Sequence, residues 1–404
     1  MSDGTAAARP GERMPHAEVV ALARSLVAID ATNPALVPGG AGERELAEAI
    51  GVWLDDRGFE MHLLGADPAR PSVLARRRGT GGGRTLMLAG HLDTVGGSGA
   101  IAAVSSDDDR IVGRGAYDMA GGLAAAMVAA AAAPAGLTGD LVLAFAADEE
   151  FGSTGMEELI AAIDAHAVAS IDPWPRPEAA VVLEPTDLGV TLAHRGFAWY
   201  RVEYEGLAAH GSQPELGLDA IDRAVDGLIA LRAFATEIGE RPRHPLLGAG
   251  SVRVSTIDGG TDAATVADRC VLVVERRTLP GEPDPGAELG RVLAPSRPAR
   301  IIELVARPAM EADADAPIAR AVLAAVERAT GAPAVRRGDP WWTDAGLIAD
   351  AGIPVVLVGP AGGGAHAGEE WVTIASLATL VDVLEATIRA ICDENGSQDG
   401  KEHS

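Results

Sequence analysis

Three apolar runs in this chain stop at residues able to hold a cation. The run 86–90 leads into His91-Leu92-Asp93, the run 141–147 into Asp148-Glu149-Glu150, and the run 179–183 into Glu184-Pro185-Thr186. Runs of this kind read as buried strands, and ligands in α/β sheets gather at the carboxyl ends of strands. A ring nitrogen of His91 can bind a metal while a carboxylate such as Asp93 fixes its tautomer. The three acids at 148–150 repel one another unless a cation or solvent intervenes. Strands that end repeatedly in such groups make a metal-site pattern. Asp118, in the glycine-rich stretch 113–122 ahead of an alanine-rich helix, fits this chemistry but is equally explained as a helix N-cap.

The elements around these residues follow from periodicity. Helical spacing predicts helices over 15–29, 43–57 and 121–133, and strands over 59–64 and 72–76 precede the His91 strand. Gly81-Gly82-Gly83 comes before a strand, so it reads as a hairpin turn, and the Ser/Asp-rich segment 105–109 as a solvated loop. At about Thr191 the pattern changes to half-exposed alternation: strands over 197–205, 251–257, 270–275 and 301–305, with a helix over 219–234. Helix 316–330, strand 355–358 and helix 376–394 then resume the first pattern, and the tail 396–404 reads as disordered. The expected architecture is α/β, with a discontinuous domain (1–190 and 307–404) interrupted by an α+β module at 191–306.

Composition narrows the partners. With 404 residues, two domains are expected. The formal net charge of −25, from 58 acidic against 33 basic side chains, repels phosphate backbones and anionic membranes, which excludes nucleic acid. The longest span candidate, 123–133, is alanine-rich and closed by Pro134 and Gly136, so no membrane segment is expected. Residues 1–15 lack the apolar core of a secretory signal, and Cys270 and Cys392 suggest no disulfide framework. A cytoplasmic location is the expectation.

Taken in order, the motifs resemble the co-catalytic zinc aminoacylase and carboxypeptidase family, which includes acetylornithine deacetylase, succinyl-diaminopimelate desuccinylase, glutamate carboxypeptidase and aminoacylase. The resemblance covers nearly the whole chain. It rests on His91-Leu92-Asp93, the stretch around Asp118, Asp148-Glu149-Glu150, Leu183-Glu184-Pro185-Thr186, Ala209-His210-Gly211-Ser212, Arg277-Thr278-Leu279-Pro280-Gly281-Glu282, and Ala365-His366 with Glu369 or Glu370 after it.

The resemblance implies a metallopeptidase-type catalytic domain and an inserted dimerisation, or lid, domain. It implies two divalent ions, zinc first, with cobalt or manganese also accepted by these donors. His91 and Glu184 would hold one, Glu150 and His366 the other, and Asp118 would bridge them. Two such ions draw the pKa of a shared water towards ~7. Glu149 would be the general base, Asp93 would orient His91, and His210 would stabilise the oxyanion, commonly from the partner subunit of a homodimer. Arg277 would grip a substrate carboxylate, and Thr343, Asp344 and the backbone at 362–364, Gly363 included, would face the substrate. Ala120 stands where the family often carries lysine, and Ala264 and Ala267 where it carries Asn and Pro, which separates this chain from any one substrate assignment. The implied activity is removal of an acyl group from an N-acyl amino acid, of the acetylornithine type. The alternatives are a carboxypeptidase or dipeptidase acting on short peptides, and a catalytically silent binding paralogue.

Overall fold

The computed structural model describes residues 14–97, 105–106, 109–165 and 174–393. The expectations for 396–404 and for the residues before 14 lie outside them. The chain divides into two compact units, Met1–Leu192 with Ala312–Arg337 and Thr343–Ser404, and Ala193–Glu311 with Gly338–Trp342.

The chain begins with α1 (Met14–Val27), α2 (Arg44–Asp55), β1 (Glu60–Leu64), β2 (Ser72–Arg77), β3 (Leu86–His91), β4 (Ser105–Ser106), β5 (Arg110–Val112), α3 (Gly121–Ala132), β6 (Leu141–Ala146), α4 (Thr154–Asp164), β7 (Ala179–Val182) and β8 (Val190–His194). Then come β9 (Gly196–Glu205), α5 (Ala220–Glu240), β10 (Ser251–Gly259), β11 (Arg269–Thr278), α6 (Pro285–Leu293), β12 (Arg300–Arg307) and β13 (Met310–Glu311). The chain closes with α7 (Pro317–Thr330), β14 (Arg336–Asp339), α8 (Ala345–Asp350), β15 (Val355–Leu357), β16 (Gly362–Gly363), β17 (Trp371–Thr373) and α9 (Ile374–Cys392).

In the first unit the sheet runs β1-β2-β6-β3-β7-β15-β8. Its centre is parallel: β3 pairs with β6 and β7, and β7 with β15, all in the same direction. Every residue of β3, β6 and β7 is buried, as strands covered on both faces require. Each leucine so buried contributes roughly 2 kcal/mol. The glycine triplet 81–83 is not a hairpin turn, because β6 lies between β2 and β3. A two-faced central strand needs a neighbour on each side, and the loop carries the chain past one. The segment 105–109 is also not all loop, since β4 pairs with β5.

Helix α3 is Gly-Gly-Leu-Ala-Ala-Ala-Met-Val followed by four alanines, with Gly121 through Ala130 buried. A Cβ on Gly122 would lie 2.5 Å from the Leu183 carbonyl oxygen, so glycine is what lets this helix approach the chain just before Glu184.

The second unit is an antiparallel sheet, β10-β11-β9-β12, with Tyr200, Val202, Tyr204, Leu231, Phe234, Leu272 and Val274 among its core. The helix expected over 219–234 runs on to Glu240, capped by the Asp219 carboxylate, which accepts the Ile221 N–H at 2.8 Å.

Candidate metal centre

Four of the five proposed ligands lie at or within four residues after the end of a strand, and Asp118 lies in the short turn ahead of α3. His91 closes β3 and is buried, with Nδ1 2.9 Å from the Asp93 carbonyl oxygen. A carbonyl only accepts, so Nδ1 carries a proton, and Nε2 is the ring nitrogen that faces the acids. That Nε2 lies 3.0 Å from Asp118 Oδ1.

Asp118 does not cap α3. Its backbone is non-helical, and the N-cap position is Ala120. The carboxylate instead spans two histidines, Oδ1 to His91 and Oδ2 3.4 Å from His366 Nε2. Burial alone would raise the Asp118 pKa, but the hydrogen bonds to His366 and His91 hold it well below the usual carboxylate range. His366 Nε2 is also 3.1 Å from Glu150 Oε2. The hydrogen bonds that His366 donates to the Asp118 and Glu150 carboxylates push its pKa up to about 10. Burial opposes charge on His91, yet Asp118, Glu184 and Glu149 outweigh it and raise its pKa well above the usual value.

Ligand atoms of His91, Asp118 and Glu150 all lie within 4.8 Å of one another. Glu184 follows β7 and is buried; burial and the negative charge of Asp118, Glu150 and Asp344, against the pull of His91, push its carboxyl up. Glu149 is pushed up in the same way, by burial and by Glu184, Asp344 and Glu150, again against His91. Acids crowded until their charged forms are disfavoured, beside two imidazoles, are a donor set that divalent cations fit. Imidazole and carboxylate suit zinc, cobalt or manganese.

The other sequence-predicted residues fall as follows. The Asp93 carboxylate is 3.8 Å from His91 Nδ1, so the ring is oriented by the Asp93 carbonyl, while the carboxylate accepts the N–H groups of Glu149 (3.0 Å) and Glu150 (3.1 Å). Thr343 is buried, and its hydroxyl accepts the Ala345 N–H at 3.2 Å at the start of α8. Gly363 also has a packing reason: a Cβ there would lie 3.1–3.3 Å from the Trp371 indole, and one on Gly362 would strike the Tyr117 ring. His210 and Arg277 belong to the second unit. His210 is exposed, with Nδ1 accepting from the Ser212 hydroxyl at 2.8 Å. Arg277 lies 2.9 Å from Glu275 Oε1, with its guanidinium 5.3 Å from the centre of the Phe197 ring.

Glu370 is the residue whose task sequence reading left open between two neighbours. It is buried, and its carboxylate accepts the N–H groups of Gly115, Tyr117 and Asp118 and pairs with Arg114 at 2.7 Å. A single carboxylate four residues after His366 therefore shapes the turn that presents Asp118. The acid after His366 in the motif was the available signal.

A sequence profile described as "Peptidase family M20/M25/M40" matches residues 87–390. The chain is 31% identical over 237 residues to a protein named "Probable carboxypeptidase" from Aspergillus terreus, an alignment covering 56% of this chain and 52% of that one. It therefore spans about half the length of that relative. With an acetylornithine deacetylase from Myxococcus xanthus it shares 28% identity over 369 residues, 84% of this chain and 87% of that one. Among solved structures, aminopeptidase PepT from Bacillus cereus superposes with a TM-score of 0.73 at 19% identity, covering 93% of this chain and 98% of that one. The Bacillus subtilis YXEP protein, described as a dinuclear metal binding peptidase, superposes with a TM-score of 0.68 at 16% identity, over 95% and 100% of the two chains.

Proposed function

This chain belongs to peptidase family M20/M25/M40 and is a metallohydrolase of amide or peptide bonds; on that premise we propose that it removes the acyl group from an N-acyl amino acid, with acetylornithine-type deacetylation as the first candidate. The observation that carries the reading is the Asp118 carboxylate divided between His91 and His366, with Glu150 on the second histidine.

His91 and Glu184 are the residues that would hold one divalent ion, Glu150 and His366 the other, with Asp118 shared. Bound there, such ions supply Lewis acidity to the scissile carbonyl and lower the pKa of water. Glu149 carries the proton. A carboxylate whose pKa is raised by burial and by Glu184, Asp344 and Glu150 can take a proton from the attacking water and return it to the amide nitrogen as the C–N bond breaks. The products are a free carboxylate and an amine. Arg277 is assigned to the substrate carboxylate and His210 to the oxyanion.

The same reading makes the protein a homodimer through its inserted unit. On α5, Ile221, Val225 and Ile229 are spaced four apart and are 39%, 43% and 59% exposed, with Leu207, Leu216 and Leu218 exposed nearby in sequence. An apolar stripe of this kind marks a protein interface. Among the described residues no helix is long and apolar enough to cross a membrane. Two buried free thiols, Cys270 and Cys392, suit a reducing cytoplasm.

A carboxypeptidase or dipeptidase is the second reading, favoured by the Aspergillus terreus relative. A panel of N-acetyl, N-succinyl, N-formyl and N-carbamoyl amino acids together with dipeptides, supplied with zinc, cobalt or manganese, separates the two. Turnover of dipeptides with none of N-acyl amino acids overturns the first.

A further inference from the structure

Behind the acidic loop lies a run of buried polar groups that the hydrolytic reading leaves unused. Asn33 is fully buried; its Nδ2 donates to Asp93 Oδ2 at 2.8 Å and to Asp148 Oδ1 at 3.2 Å. On the other side, Arg70 Nη1 lies 3.0 Å from Asp148 Oδ1. The same guanidinium grips Glu43, with Nε 3.0 Å from Oε2 and Nη2 2.5 Å from Oε1. Glu43 is itself fully buried and accepts the Asp148 N–H at 3.2 Å.

Glu43, Asp93 and Asp148 are thus three buried carboxylates tied together by one guanidinium and one amide. Buried charge persists only where it is paired and hydrogen-bonded, so Arg70 is the group that lets this arrangement exist. Its position matters to the loop it backs. Asp148 adopts a left-handed backbone with φ of 68°, disfavoured for a residue with a Cβ and kept only where the surroundings over-determine it. Both ends of the Asp148 backbone are held, its N–H by Glu43 and its carbonyl by the N–H of Gly152 at 3.0 Å. Meanwhile Asp93, steadied by Asn33, takes the next two N–H groups, those of Glu149 and Glu150.

We propose that Arg70 and Asn33 are positioning residues for the hydrolytic centre: through Asp148 and Asp93 they fix the loop that aims Glu149 at the reaction and Glu150 at the metal. The inference rests on the metallohydrolase reading. It assigns to two residues far from the acid motif in sequence a share of both proton transfer and metal retention.

The test compares Arg70→Met, Arg70→Lys and Asn33→Ala with the wild type. Zinc retained per folded chain after dialysis is measured together with kcat and KM on whichever panel substrate the wild type turns over fastest. The visible spectrum of cobalt-loaded protein reports ligand geometry. Arg70→Met and Asn33→Ala are expected to lose about 10- to 100-fold in zinc affinity and in kcat, with KM within twofold and an altered cobalt spectrum, and Arg70→Lys to recover part of the loss. Should Arg70→Met fail to fold, Asn33→Ala carries the test, since it removes no charge. A brace that serves only stability lowers the melting temperature and leaves zinc retention, kcat and the cobalt spectrum of the folded variants unchanged; that result overturns the proposal. Zinc retention needs no substrate, so the two readings fail separately. A wild type that binds none of zinc, cobalt or manganese sinks the hydrolase reading and this proposal with it, whereas variants that hold zinc and turn over substrate like the wild type sink this one alone.

Discussion

The Glu370 carboxylate accepts the Asp118 N–H at 2.8 Å across 252 residues of chain. It binds the Gly115 and Tyr117 N–H groups and Arg114 as well, so the turn that offers Asp118 to both histidines is built on an acid from the far end of the sequence. Glu370→Ala leaves these buried donors without an acceptor and is expected to cost about 3 kcal/mol in urea unfolding. Glu370→Gln keeps an acceptor and costs less. A wild-type unfolding midpoint for the alanine variant contradicts this account.

Glu149→Gln keeps the size of the side chain and removes its ability to accept a proton. We expect kcat to fall by about 10²- to 10⁴-fold while zinc content stays at the wild-type level. Loss of zinc alongside loss of rate would identify Glu149 as a ligand instead of a base.

His194 is fully buried, edge-on to Trp342, and burial lowers its pKa to about 4, partly offset by the Arg195 carbonyl. The native imidazole is therefore neutral, while the unfolded chain takes up a proton below its ordinary value near 6.5. Stability from this group is intact above about pH 6.5 and is lost as pH falls towards 4, in total on the order of 3 kcal/mol. His194→Gln should flatten that part of the stability-against-pH curve, measured by urea unfolding between pH 7 and 4. An unchanged slope excludes the mechanism.

Ile229→Asp places a charge in the middle of the exposed α5 stripe. Size-exclusion chromatography with light scattering should find wild-type dimers and variant monomers, with zinc content unaffected. A monomeric wild type removes the homodimer, and with it the assignment of His210 to a partner's reaction.

The strands that lead into His91, the acidic loop 148–150 and Glu184 were legible because each is an unbroken apolar run, and runs of that kind leave little choice but a two-faced central position. β3, β6 and β7 begin and end within a residue of the expectation. The order of the strands was not legible: nothing local in Gly81-Gly82-Gly83 says that β6 will come between its neighbours. Helix α6 was hidden for another reason. Its nine residues are short for a periodicity signal, although Asp284 before Pro285 is the capping pattern that could have marked it. Within the site, histidines and acids at strand ends announced themselves by type and place. Asn33, Glu43 and Arg70 did not, since isolated polar residues in loops and at helix starts look like surface until the chain closes over them.

The short sheet in which β5 pairs with β17 joins a segment from the first third of the chain to one near its end. His366 and Glu370 reach the Asp118 turn from that late segment. A nascent polypeptide emerging from a ribosome therefore holds His91 long before it holds His366 and Glu370. Charging with metal is expected to be among the last events of its biogenesis, after the intervening unit has already been synthesised.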